Sequence, residues 1–141
     1  MKFYWDTSAA INALASKPVW DRLDSGDHFT RLHLLSEFFS TMTNRGIEVK
    51  DKQGKSARLV MTARDAATWL RRFSGRIRLV ELDLSETLDG LDQAQAKNIS
   101  GPNFHDYGHA LAADKAGADV LFTRNVKDFQ PLGGKARIER P

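Results

Sequence analysis

Five side chains of this 141-residue chain combine oxygen donors with positions from which they could act together: Asp6, Glu37, Asp106, Asn125 and Asp128. Asp6 closes the aromatic run Phe3-Tyr4-Trp5, which has strand character, and Thr7-Ser8 then opens the helix-forming run Ala9 to Ala15. Asn125 and Asp128 follow Val120-Leu121-Phe122, a run of the kind buried in a sheet. Glu37 and Asp106 lie in stretches with helical spacing. In an α/β sheet, ligands bind outside the carboxyl ends of the strands, which is where Asp6, Asn125 and Asp128 fall. Carboxylates that converge repel one another and are costly unless a cation neutralises them. Oxygen-only ligands favour Mg²⁺ or Mn²⁺, and the usual work of such a site is phosphoryl chemistry.

Each residue also has a plain structural role to set against that chemistry. Asp6 can cap the helix that follows it, together with Thr7. Glu37 lies roughly opposite the apolar stripe Leu35, Phe38, Phe39 and Met42, where any solvated glutamate would lie. Asp106 stands three residues after Asn103, the reciprocal position of a capping box. It also heads the small-residue stripe Ala110, Ala113 and Gly117, which suits close packing against the interior edge of a sheet. Asn125 and Asp128 have the composition of a turn after a strand. His28, His33, His105 and His109 form no recognisable ligand set and read as surface or packing residues.

Other chemistries are missing from the chain. It has no cysteine, so disulfides, thiolate metal sites and a cysteine nucleophile are excluded together. It has neither a glycine-rich phosphate loop nor a Gly-x-Ser-x-Gly elbow. Ser8 stands where a haloacid-dehalogenase-like phosphatase would carry a second aspartate, and Trp5 precedes Asp6 where a response receiver would have adjacent acids.

The elements that must position these residues alternate along the chain. Strands are expected at Phe3–Trp5, His28–Leu32, Ile77–Leu82, Val120–Phe122 and Ala136–Ile138. Helices are expected after Ser8, after Pro18, around Leu34–Met42, over Met61–Phe73, from Ser85 toward Lys97 and over Phe104–Ala116. The last of these should be capped by Asn103 and Gly117. Val49–Ser56 reads as a loop. The alternation implies an α/β fold, with a mainly parallel sheet covered on both faces. At this length one domain over residues 1–141 is expected, with a core that needs no staple.

Composition agrees with a globular chain: 41% of residues are hydrophobic and 28% charged. Twenty-one Lys and Arg against 18 acids leave a net charge of +3, and the pI is near 9.3. That bias permits nucleic-acid contact without requiring it. Arg58, Arg64, Arg71, Arg72, Arg76 and Arg78 crowd the middle third, where the simplest reading is a solvated helix face. No apolar run is long enough to span a membrane, and Asp6 comes too early for a signal peptide; the expected compartment is the cytoplasm.

Taken in order, these motifs resemble PIN-domain proteins, particularly the VapC-type toxins of prokaryotic toxin–antitoxin pairs. Phe3-Tyr4-Trp5-Asp6-Thr7-Ser8 looks like the family's opening strand, and Leu34-Leu35-Ser36-Glu37-Phe38-Phe39 resembles the helix bearing its second acid. His105-Asp106-Tyr107, followed by Ala110, Ala112 and Ala113, is similar to the helix bearing the third. Thr123-Arg124-Asn125-Val126-Lys127-Asp128-Phe129 resembles the closing Thr-Arg-Asn/Asp-x-x-Asp-Phe signature, the most specific of the four.

The resemblance implies a three-layer sandwich and an endoribonuclease dependent on Mg²⁺ or Mn²⁺. In it Asp6 and Asp106 would be the main metal ligands, and Glu37 would bind metal or position the attacking water. Asn125 stands where the family often has a further acid, and its amide brings hydrogen bonds without charge; Asp128 is near enough in sequence to compensate. Thr7, Ser8 and Thr123 would hold Asp6 or a phosphate, and Arg124 and Lys127 would hold the RNA backbone. Gly108-His109 is less apolar than the family's usual helix. A protein antitoxin and a homodimer are further implications, with no membrane partner. The alternative is a non-catalytic PIN-like module that binds nucleic acid or protein through the arginine-rich middle.

Overall fold

The computed structural model describes residues 1–141. Its central sheet has five strands: β1 (Lys2–Trp5), β2 (Asp27–Thr30), β5 (Arg78–Leu79), β6 (Val120–Phe122) and β7 (Arg137–Glu139). They lie in the order β5-β2-β1-β6-β7, and every pairing is parallel. A separate antiparallel pair, β3 (Ile47–Lys50) with β4 (Ser56–Leu59), projects from the sequence between two helices. The helices are α1 (Thr7–Ala15), α2 (Lys17–Asp21), α3 (Leu32–Thr43), α4 (Ala63–Ser74), α5 (Leu84–Ala96), α6 (Asn103–Ala116) and the single turn α7 (Val126–Phe129). None is long and apolar enough to cross a membrane.

Residue alternation along β1 and β6 divides the interior into two layers. Trp5, Val120 and Phe122 face α1–α4, where they meet Ala9, Leu34, Phe38, Trp69 and Phe73. Tyr4 and Leu121 face the other way, onto Ala110, Ala112 and Ala113 of α6, Ala94 of α5 and Phe129 of α7. Parallel strands buried on both faces between helices make a three-layer α/β sandwich. The first layer is aromatic, with Trp69 stacked between Phe38 and Phe73. The second is built on alanines, which let α6 approach the sheet closely.

Local chemistry sets most of the element ends. Asp83 and Glu86 form a reciprocal capping box on α5, and Thr62 caps α4. Gly117 ends α6 in the left-handed conformation at φ 67°.

Several boundaries differ from the sequence expectation. Ile47–Lys50 and Ser56–Leu59 pair as a hairpin where a loop was expected over Val49–Ser56, because Asp51 closes the turn by accepting from Gln53 N and Lys55 N. The strand expected to reach Leu32 stops at Thr30, and Leu32 already begins α3. The buried stripe of α3 is Leu34, Phe38 and Met42, with Phe39 exposed, so the apolar face is rotated from the one expected. Pro102, with no capping side chain, precedes α6; Asn103 is its first residue, and the Asn103–Asp106 capping box does not form.

Candidate active site at the carboxyl edge of the sheet

The central strand β1 and its neighbour β6 deliver their following loops side by side. Asp6 N donates to Phe122 O (3.1 Å), which extends the ladder one residue past both strands. Asp6 then caps α1, as its Oδ1 accepts from Ala9 N and from Ser8 Oγ, both at 2.8 Å. The other oxygen, Oδ2, accepts from Thr123 Oγ1 at 2.6 Å. Thr123 Oγ1 in turn accepts from Asn125 N (3.0 Å), and Ser8 Oγ accepts from Arg124 N (2.9 Å). Both the capping role and the positional one are therefore real: Asp6 begins a helix and is also clamped across the sheet. Thr7 Oγ1 is buried without a hydrogen-bond partner, so Ser8 and Thr123 hold Asp6 and Thr7 does not.

The clamped carboxyl is 3% exposed. Burial raises its pKa to about 6 against the three hydrogen bonds that favour the anion, and the charge of Asp106 raises it further. Asp106, in the first turn of α6, is also raised, first by burial and then by the charges of Asp128 and Glu37. Asp128 is displayed by α7, whose Phe129 is buried and anchors the turn. Glu37 is half-buried on α3 and accepts a hydrogen bond from His33 Nε2 at 2.9 Å. Asn125, Arg124, Lys127 and Asp128 are all exposed along the rim.

All four acids lie within reach of one another's charge, directly or through Asp106. Asp6, Asp106 and Asp128 enter no ion pair. The only group that opposes the upward shift at Asp106 is His105. Asp6 is buried, Asp106 and Glu37 are half-buried and Asp128 is exposed; with no Lys or Arg paired to Asp6, Asp106 or Asp128, these oxygen donors suit a hard divalent cation in charge and in donor type. As the side chains stand, no three acids or imidazoles close around one point where an ion could be chelated.

A second polar group lies between α3 and α6, and it leaves little trace in the sequence. His33 stacks on His105, with ring centroids 4.8 Å apart. His109 is buried, and its Nδ1 shares a 2.8 Å hydrogen bond with Tyr4 Oη. Burial, with positive charge from Arg31, His33 and His105, lowers its pKa to about 3, so it is neutral. Arg31, just past β2, lays its guanidinium on α6 at Gly108, where any Cβ would overlap Nη1. The low apolarity of Gly108-His109 thus has a packing cause. His28 and His109 are buried packing residues, His33 is half-buried and His105 is exposed, in line with the expected surface or packing roles. Arg31 carried no signal, because its partner is a missing side chain 77 positions away.

No family model matches the chain, and no curated protein matches it either.

Proposed function

We propose that this protein is a metal-dependent endoribonuclease, the toxin of a toxin–antitoxin pair. The observation that carries the reading is Asp6: a buried carboxylate at the carboxyl end of the central strand, fixed by Ser8, Thr123 and Ala9 N, beside like charges and no basic partner. Asp6 and Asp106 would hold Mg²⁺ or Mn²⁺, with Glu37 and Asp128 at its periphery. Such an ion supplies charge neutralisation and an activated water for phosphodiester hydrolysis. The chain's own contribution is preorganisation. Thr123 and Ser8 keep both Asp6 oxygens aimed before substrate arrives, so little reorganisation is needed at the moment of reaction. Asn125 would contribute an amide at the rim, and the exposed Arg124 and Lys127 would meet phosphates there.

Support for the toxin assignment is the order of the four sequence motifs. An antitoxin and a second copy of the chain both need apolar surface, and Leu84, Leu88 and Leu91 supply it along the exposed side of α5. The separation of the acids favours a second reading, a binding module without catalysis.

One experiment divides the two. The purified chain, freed of any co-purifying partner, is incubated with a structured RNA pool in EDTA, Mg²⁺ or Mn²⁺, beside the Asp6→Asn/Asp106→Asn variant. Metal-dependent cleavage that the variant lacks supports the nuclease. A folded protein that shows no cleavage in either ion, or whose variant cleaves equally, sinks it.

A further inference from the structure

Two adjoining hollows share Ile11, Ile47 and Arg124. One, of about 320 Å³, opens beside Ser8 and Asn125 at the candidate site and is bounded by Arg140. The other, of about 360 Å³, continues between α1 and β3 as far as Lys50. Together they form one groove leading from the carboxylate edge to the projecting hairpin. Its lining includes the apolar Ile11, Ala15 and Val49. It also carries Arg124, Arg140 and Lys50, none of which enters an ion pair. Glu48, the one acid in the lining, faces Arg58 at 3.5 Å. Arg124 is fixed at the mouth, since its backbone N–H donates to the Ser8 hydroxyl that also holds Asp6.

The arginine-rich helix α4 and its flank differ in this respect. Arg76 pairs with Asp24, Arg78 faces Asp27, and Arg72 and Arg76 lie over the Trp20 ring. Much of that charge is already engaged. Besides Lys127 on the rim, the cations without an ion pair that connect to the candidate site are those of the groove.

A groove that combines unpaired cations with apolar side chains suits an extended polyanion whose phosphates meet the charges while sugars and bases cover the apolar residues. A duplex presents its two backbones on a cylinder much wider than hollows of this size. We propose that the groove carries single-stranded RNA flanking the scissile phosphate, with Lys50 and Arg140 as backbone contacts; this assignment rests on the ribonuclease reading. The hairpin thereby acquires a role: β3 forms one wall of the substrate path.

The test measures binding apart from cleavage. Anisotropy of a fluorescein-labelled single-stranded RNA dodecamer is followed over a potassium chloride series in EDTA, on an Asp6→Asn background. Each phosphate contact on a single strand contributes about 0.7 to the slope of log K against log salt, so Lys50→Gln/Arg140→Gln should lower the slope by about 1.4. Arg64→Gln/Arg71→Gln removes the same charge from α4 and should leave the slope unchanged. Melting curves confirm that each variant is folded. An unchanged slope for the groove pair, or an equal drop for the α4 pair, overturns the assignment. So does an equal loss with the same sequence as a duplex, or a loss confined to a labelled oligoglutamate peptide.

Cleavage by the otherwise wild-type chain separates this from the parent reading. A raised KM with kcat retained in Lys50→Gln/Arg140→Gln supports the groove, and a wild-type KM there sinks the groove alone. RNA binding that depends on Lys50 and Arg140, in a protein that shows no cleavage in Mg²⁺ or Mn²⁺, sinks the nuclease alone.

Discussion

The two sides of the carboxylate edge are built in opposite ways. On the loop side, Asp6, Ser8, Thr123 and the amides of Ala9, Arg124 and Asn125 form a closed hydrogen-bonded set spanning β1 and β6. On the helix side, Glu37 is held only by His33 on its own helix, and Asp106 accepts no side-chain or capping hydrogen bond. The first side is a scaffold whose anion is fixed at the cost of desolvation. The second carries acids on rigid helices but leaves their side chains free to turn. The difference shows how a site can be preorganised where burial is greatest and adjustable where a ligand enters. It also bears on why the acids do not close around a single point: the movable ones stand on the open side.

The largest expected effect is on the clamped aspartate. Asp6→Asn should abolish metal-dependent RNA cleavage while making the protein more stable at neutral pH. The sign follows from the raised pKa. Between the ordinary value of 3.8 and about 6, the folded state holds the proton more tightly than the unfolded one, so stability falls as pH rises through that window. Above it, the ionised group costs the fold on the order of 3 kcal/mol, and removing it should raise Tm by roughly 10 °C. Melting at pH 7 and at about pH 3.5 checks this, because the gain should vanish where Asp6 is protonated in both states. A loss of stability at pH 7 would break the contrast between a strained and a relaxed side.

Thr123→Val should come next, destabilising by about 2 kcal/mol, because it leaves Asp6 Oδ2 and Asn125 N without their hydroxyl partner. Chemical denaturation measures it, and an effect below about 0.5 kcal/mol would mean the loop side is not a clamp.

Gly108→Ala tests how α6 is seated. In the wild-type background its methyl must displace the Arg31 guanidinium, which offsets part of the gain in helix propensity; in an Arg31→Ala background it should stabilise by up to about 1 kcal/mol. The double-mutant cycle should therefore show coupling of about 0.5 kcal/mol or more, and additive effects would contradict the contact.

The smallest effect belongs to the helix side. Glu37→Gln should change stability by less than about 0.5 kcal/mol, since the His33–Glu37 pair is partly exposed and lies on one helix. A large loss in thermal melting would show that this side is as fixed as the other.

How much of this was legible in sequence depended on how far apart the interacting residues are. The end of β1 at Asp6 and the Gly117 helix stop are contacts within a few residues, so spacing alone exposed them; the Asp83–Glu86 capping box is equally local, yet it starts α5 at Leu84, one residue before the expected Ser85. The same locality misled at Asn103, whose capping pattern is present but unused because the helix begins one residue earlier. The hairpin was missed although Ile47-Glu48-Val49-Lys50 and Ser56-Ala57-Arg58-Leu59 both alternate apolar and polar residues: each run is only four residues long, and Ser56–Leu59 is exposed throughout. The α3 stripe was misjudged for another reason. Leu34 and Leu35 both suit a helix face, and only the packing against α1 and α4 selects between them.

By itself the sequence determined the alternation of strands and helices, the parallel sheet that follows from it, and the placement of an acid at the end of the first strand. These are consequences of side-chain period and backbone preference, which act over short stretches of chain. Only the tertiary structure decided that Thr123, 117 residues away, would hold Asp6, that Arg31 would rest on Gly108, and that Lys50 would share a groove with Arg124. Those pairings depend on β6 settling beside β1 while β2 takes the other flank. Burial in two layers fixes that strand order, and no local pattern encodes it.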